Sequence, residues 1–153
     1  DAESFLPHVT VATVVERDGK FLFVEERASG RTVLNQPAGH LEANESLVEA
    51  AIRETHEETG WHVSITGLLN VGLYTSPNNG VTYHRTTFIG KADKFDEDAK
   101  LDEGIIQALW LTPDEVQQHN SQPRSPLVMQ AVSQYLNQPA APLNMVSDCR
   151  LPL

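Results

Sequence analysis

Residues 39–61, GHLEANESLVEAAIRETHEETGW, constrain this chain more than any other stretch. Ser46 followed three residues later by Glu49 has the spacing of a helix capping box, and Gly60 stands where a helix ends most cheaply in a left-handed residue. A helix is therefore expected between Ser46 and Gly60. Leu47, Val48, Ala51, Ile52 and Thr55 recur with helical period and make one apolar face. Glu54, Glu57 and Glu58 fall in a narrow stripe that overlaps the edge of this face instead of lying opposite it. Carboxylates crowded beside a core repel one another and lose hydration. A multivalent cation relieves both penalties, and all-oxygen ligation favours magnesium, with manganese as a substitute. The alternative is a solvated acidic face. Arg53 is spaced to reach Glu49 or Glu57 one turn away.

The same residues carry a resemblance. Gly39, five residues, Glu45, seven residues, Arg53-Glu54, one residue, Glu57-Glu58, one residue, Gly60 and the hydrophobic Trp61 resemble the signature box of the Nudix hydrolases. Every invariant position is filled, and Thr55 departs mildly where an aliphatic residue is usual. The wider run LNQPAGHLEANESLVEAA, with Ala38 where many relatives carry a second glycine, and Arg124-Ser125-Pro126-Leu127-Val128 resemble the NudJ-type phosphatase branch of that family. The resemblance implies an α/β/α sandwich with a mixed β-sheet between helices, and hydrolysis of a diphosphate linked to another moiety. It implies magnesium held mainly by Glu54 and Glu58, with Glu57 as a third carboxylate and Gly39 offering its carbonyl beside Glu42. Arg53 would orient a neighbouring carboxylate. The general base is left open among Glu57, Glu58 and Glu103, the last because relatives often carry an extra carboxylate in that region.

At 153 residues the chain has the length of one domain, and its composition, 40% hydrophobic and 21% charged, is that of an ordinary globular protein. A Nudix domain over 5–137 is expected, followed by an extended tail over 138–153 lying on the same domain; residues 1–4 carry no expected element. No apolar run reaches membrane-spanning length and no basic-then-apolar leader is visible. The one cysteine, Cys149, has no partner for an internal disulfide, which fits a reducing cytoplasm. A net charge of −10 argues against nucleic acid as a partner. A monomer acting on a small diphosphate or triphosphate is expected, with the metal reversing the local field.

Elsewhere the sequence alternates in the manner of strands. Residues 8–16 and 21–26 flank an Asp18-Gly19 turn and predict a hairpin. Residues 28–31 read as a loop, from which Arg27 or Arg31 could reach a phosphate. A short strand over 33–37 leads to Gly39, and His40 beside it either contacts leaving phosphate or satisfies loop backbone. Residues 62–74 read as one long strand or two, broken near Thr66-Gly67, and 81–92 as a central strand. Tyr83 could stack on a ring and Arg85 clamp a phosphate; the alternatives are face packing and an ion pair. The segment KFDEDAKLDE, 94–103, is an acidic loop ending at Glu103. Thr112-Pro113 and Ser125-Pro126 predict two capped helix starts, the second opening an amphipathic helix over 127–136. Release of phosphate from nucleoside tri- and diphosphates and thiamine-type pyrophosphates is what the branch resemblance implies. The alternatives are a sugar-nucleotide or ADP-ribose pyrophosphatase and a nucleotide-sensing module without turnover.

Overall fold

The structure, a computed structural model, describes residues 4–150. Strand β1 (His8–Arg17) lies at the centre and explains most of the architecture. It runs parallel to β6 (Thr82–Phe95) from His8 to Val15, antiparallel to the short β4 (Ala38–His40), and meets β2 (Lys20–Ala28) only at the turn, through Glu16↔Phe21 and Arg17↔Lys20. The expected hairpin is thus real but brief. Asp18 and Gly19, at φ 54° and 81°, make the left-handed turn that Asp-Gly favours. Beyond it β2 leaves to pair with β3 (Arg31–Asn35) and with β7 (Ile105–Leu111), so the sheet splays into two curled halves. The 28–31 loop is a tight hairpin turn between β2 and β3, with Ser29 and Gly30 both at positive φ.

Both faces of β1 are covered, which is why Val11 to Val15 are buried without interruption. Val11 packs with Phe88 against Ala50 and Ala51 of α1 (Leu47–Thr59). Val14 faces the other way, with Phe23 and Leu34, onto Val128, Ala131 and Val132 of α3 (Pro126–Asn137). Burying side chains of this size contributes about 1.5–3 kcal/mol each. The result is the expected α/β/α sandwich around a mixed sheet. Strand β5 (Trp61–Thr75) is a single strand paired antiparallel with β6, and the expected break at Thr66-Gly67 is a bulge inside it. Helix α2 (Pro113–Gln118) and α3 begin at Thr112 and Ser125, each with its cap bond and proline in the first turn. The two-residue β8 (Gln122–Pro123) runs parallel to β3 and anchors the segment before α3.

After α3 the chain returns across the domain. Ala141 exchanges both backbone bonds with Leu68, a 3-10 turn follows at Leu143–Met145, and Arg150 reaches Glu49 at 3.1 Å. The last residues of the expected tail, 151–153, lie outside the described residues, as do 1–3. No described helix is long and apolar enough to cross a membrane.

Candidate active site

The helix carrying the acids is built as its sequence dictates. Ser46 Oγ accepts the Glu49 amide at 3.0 Å while Glu49 Oε1 accepts the Ser46 amide at 2.7 Å, and Gly60 closes the far end at φ 81°. Thr55, fully buried, turns its hydroxyl back to the Ala51 carbonyl at 2.7 Å, so the polar residue on the apolar face is satisfied within the helix. Glu54 and Glu58 lie on the side of α1 that faces β4 and line a cavity of about 470 Å³. Glu57 does not line it: its carboxylate turns to Arg53, 3.1 Å away, and is the most exposed of the three.

Burial dominates the electrostatics. Glu58 is 9% exposed, and its Oε1 accepts the Ala38 amide at 2.9 Å. Loss of hydration, reinforced by the charges of Glu26, Glu54 and Asp102, pushes its pKa up to about 9 despite that hydrogen bond. Glu54 is shifted upward for the same first reason, with Arg53 pulling the other way. Gly39 sits against this pair so closely that a Cβ on it would stand 1.8 Å from Glu54 Oε2. A bare backbone and two carboxylates form a hard oxygen set that suits magnesium. The residues present therefore fit a divalent ion.

Arg53 is the hub of the surrounding loop. It donates twice to Glu45, at 2.7 and 2.9 Å, and to Glu54 at 2.5 Å, and it reaches the His40 carbonyl at 3.0 Å. These carboxylates hold its pKa above the ordinary arginine value, Glu45 most of all. Of the two partners expected for it, Arg53 holds Glu57, at 3.1 Å, whereas Glu49 belongs to the cap and to Arg150, and Glu45 is the partner not foreseen. Glu42 lines the cavity rim, largely exposed, with Oε1 3.6 Å from Arg53.

The opposite wall comes from the sheet. Thr10 of β1 pairs with His40 on one side and Arg85 on the other, and His8 pairs with Tyr83, so register alone gathers these groups at one end. His40, Tyr83 and Arg85 all line the cavity. His40 Nε2 lies 3.0 Å from His8 Nδ1, and partial burial together with the positive charge of its neighbours lowers its pKa. Arg85 is 8% exposed and forms no ion pair among the described residues. Its guanidinium donates to Gln36 at 2.7 Å and, at 3.5 Å, to Asn35, while Nε has no partner. Burial lowers its pKa to about 10, and the nearby Arg124 acts in the same direction.

Besides Glu57, two other expected residues, Arg27 and Glu103, are not brought to the cavity. Arg27 points outward, and its neighbour in the turn, Arg31, lines the cavity instead. Glu103 is exposed in the turn before β7; the adjacent Asp102 is tied by its amide to the Glu57 carbonyl at 3.1 Å and adds a smaller share to the negative charge around Glu54 and Glu58. Sequence reasoning missed Glu26 and Arg124. Glu26 is 8% exposed, lines the cavity, accepts from Arg124 at 2.9 Å through Oε1 and leaves Oε2 without a partner. It continues the buried face of Leu22 and Val24, and that two-residue alternation was the signal available for it.

A mixed-sheet sandwich with box carboxylates on a capped helix defines a class of hydrolase, and comparison with known proteins assigns it. The NUDIX domain model matches residues 5–132. The chain is 39% identical over 148 residues to Phosphatase NudJ of Escherichia coli and, equally, of Shigella flexneri, covering 97% of this chain and 95% of that protein. It superposes on a NUDIX hydrolase from Nitrosomonas europaea with a TM-score of 0.89 at 43% identity, covering 94% of this chain and 98% of the other. An ADP-ribose pyrophosphatase from Streptococcus suis, at 10% identity and a TM-score of 0.66 over 89% and 96% of the two chains, shares the fold alone. The protein belongs to the Nudix hydrolases, enzymes that use a divalent metal to act on small nucleotide derivatives. Within that family its similarity to Phosphatase NudJ supports hydrolysis of phosphoanhydride bonds.

Proposed function

We propose that the protein is a magnesium-dependent hydrolase that releases phosphate from nucleoside tri- and diphosphates and from thiamine-type pyrophosphates. One observation carries this reading: a nine-tenths-buried guanidinium, Arg85, lines the cavity of the box carboxylates with no ion-pair partner among the described residues. A terminal phosphate, with more charge and more free oxygens than a phosphate capped by a sugar, is the partner that suits Arg85 and Arg124 together.

Glu54, Glu58 and the Gly39 carbonyl would hold the ion, with Glu57 added if its side chain leaves Arg53. When bound, magnesium supplies Lewis-acid stabilisation of the developing phosphate charge and acidifies the attacking water. Of the carboxylates considered as base, Glu57 and Glu103 lie off the cavity, which favours Glu58: it would take the proton of the water once a bound cation holds its carboxylate ionised. Arg53 keeps Glu45, Glu54 and the Gly39-His40 turn in register. Tyr83 and Tyr74 line the cavity where the ring of a base or of a thiazole would stack.

Product analysis tests the proposal. With magnesium, inorganic phosphate should appear from ADP and from thiamine pyrophosphate. AMP from ADP-ribose, at higher kcat/KM than phosphate from ADP, would overturn it.

A further inference from the structure

On the far end of α1, away from the cavity, three side chains from three elements meet. His56 stands in the last turn of the helix, His62 is the second residue of β5, and Asp96 follows the last residue of β6. None of them lines the cavity. The imidazoles stack with centroids 4.3 Å apart and planes within 18°, and His56 Nε2 lies 3.0 Å from Asp96 Oδ2. One nitrogen from each ring and one Asp96 oxygen lie within 4.8 Å of one another.

We propose that His56, His62 and Asp96 form a second metal site, which takes zinc or a similar borderline transition ion and fastens the end of the catalytic helix to the sheet. The donor set argues for the ion. Two imidazoles and one carboxylate are zinc ligands, with a fourth position left for water, whereas magnesium prefers oxygen. The spacing argues for the site. Ligands about 2.0–2.1 Å from a tetrahedral ion stand about 3.3 Å apart, close to the His56–Asp96 separation, so the ion replaces a shared proton there. His62 is exposed, and a rotation of its side chain off the His56 ring closes the remaining gap.

The scaffold argues for preorganisation. The Gly60 amide donates to the His56 carbonyl at 2.9 Å, and the Asp96 amide donates to the Gly60 carbonyl at 2.8 Å. Asp96 Oδ1 is occupied by the Asp98 amide at 3.1 Å, which leaves Oδ2 aimed at the rings. Such a supporting hydrogen bond fixes a ligating carboxylate as a neighbouring group does in known metal sites. The acidic run Asp96-Glu97-Asp98 adds a local field that attracts cations.

The test is zinc titration of the full chain in excess magnesium, followed by calorimetry and thermal melting, with cobalt absorption as the spectroscopic readout. One zinc should bind per chain, raising the melting midpoint by about 5–10 °C when zinc is about a hundredfold above its Kd. Cobalt should give the visible absorption of a four- or five-coordinate ion. Both signals should vanish in His62→Ala, whose exposed position leaves the zinc-free midpoint unchanged, and both should persist in Glu58→Gln. No zinc-dependent shift in the parent chain, a shift that survives His62→Ala, or one that disappears in Glu58→Gln would each overturn the proposal.

Discussion

Replacing Glu58 by glutamine should make the metal-free protein more stable at neutral pH while abolishing its turnover. The folded-state pKa of Glu58 stands near 9, against 4.5 for an unperturbed glutamate, because burial and three neighbouring carboxylates disfavour its charge. A raised carboxyl pKa means that the folded chain keeps a proton the unfolded chain has released. Stability is therefore highest below the unfolded value and falls as pH rises toward 9. One proton's difference gives a slope of about 1.4 kcal/mol per pH unit, so roughly 3 kcal/mol is lost between pH 6 and 8. Glutamine keeps an oxygen for the Ala38 amide and has no charge to bury, so the variant should lack this part of the slope. For a chain of this length the difference amounts to about 5–10 °C in melting midpoint.

The assay is thermal or urea unfolding of both proteins in chelator at pH 6, 7 and 8. Glu54, shifted in the same direction, and His40, whose lowered pKa makes stability rise with pH near its ordinary value, act in both proteins and cancel in the comparison, whereas Glu45 and Glu25, whose pKa values are lowered, lose their contribution only as pH falls through the acidic range. Magnesium should flatten the parent curve, because a bound cation compensates the buried charge, and should leave Glu58→Gln nearly unmoved. Parallel pH dependences in the two proteins would refute the reasoning, since they would mean that Glu58 ionises in the fold as easily as in water.

Other substitutions separate chemistry from stability. Gly39→Ala should cost at least about a hundredfold in kcat with little change in melting, because its Cβ collides with the mobile end of Glu54 and not with backbone. Arg85→Met should leave the protein as stable or more so, since it removes a buried cation held only by amides. Steady-state kinetics should show a rise of about tenfold or more in KM for ADP. Thr55→Val should change unfolding free energy by less than about 1 kcal/mol, because the hydroxyl bonds only to a helical carbonyl.

What could be read from sequence divides along the distance over which each signal acts. The α1 caps, its apolar face and the Gly60 terminus are local, and all stand where their spacing puts them. Gly39, Glu54 and Glu58 share one short stretch, so their meeting at the cavity needed only one turn and one helix to form. Glu45 was assigned no partner because helical spacing looks only along the helix, whereas this residue precedes the N-cap and folds back onto Arg53. Arg124 had no local signal: β8 must first pair with β3 before its side chain can reach Glu26. The bulge between Glu25 and Glu26 likewise depends on β7, a strand far along the chain. Asp102 and Glu103 are neighbours in the acidic run, and only the bond from Asp102 to the end of α1 decides which of them matters electrically.

The acidity of the chain and its reading as a phosphate-processing enzyme are reconciled inside the cavity. Glu58 is pushed toward its neutral form and Arg85 toward a lowered pKa, each by burial, yet the two do not pair with each other. Were stability the only demand, a direct ion pair or two apolar residues would serve better, since buried charges are costly unless closely matched. Glu26 shows the alternative at close range, because Arg124 meets it at 2.9 Å on one oxygen. A group positive toward Glu54 and Glu58 and negative toward Arg85 would match both walls. A divalent ion chelated by a terminal phosphate has that order of charge, and neither component alone satisfies both walls. This polarity, more than the volume of the cavity, argues for substrate binding as a metal–phosphate unit and for weak affinity toward either part by itself.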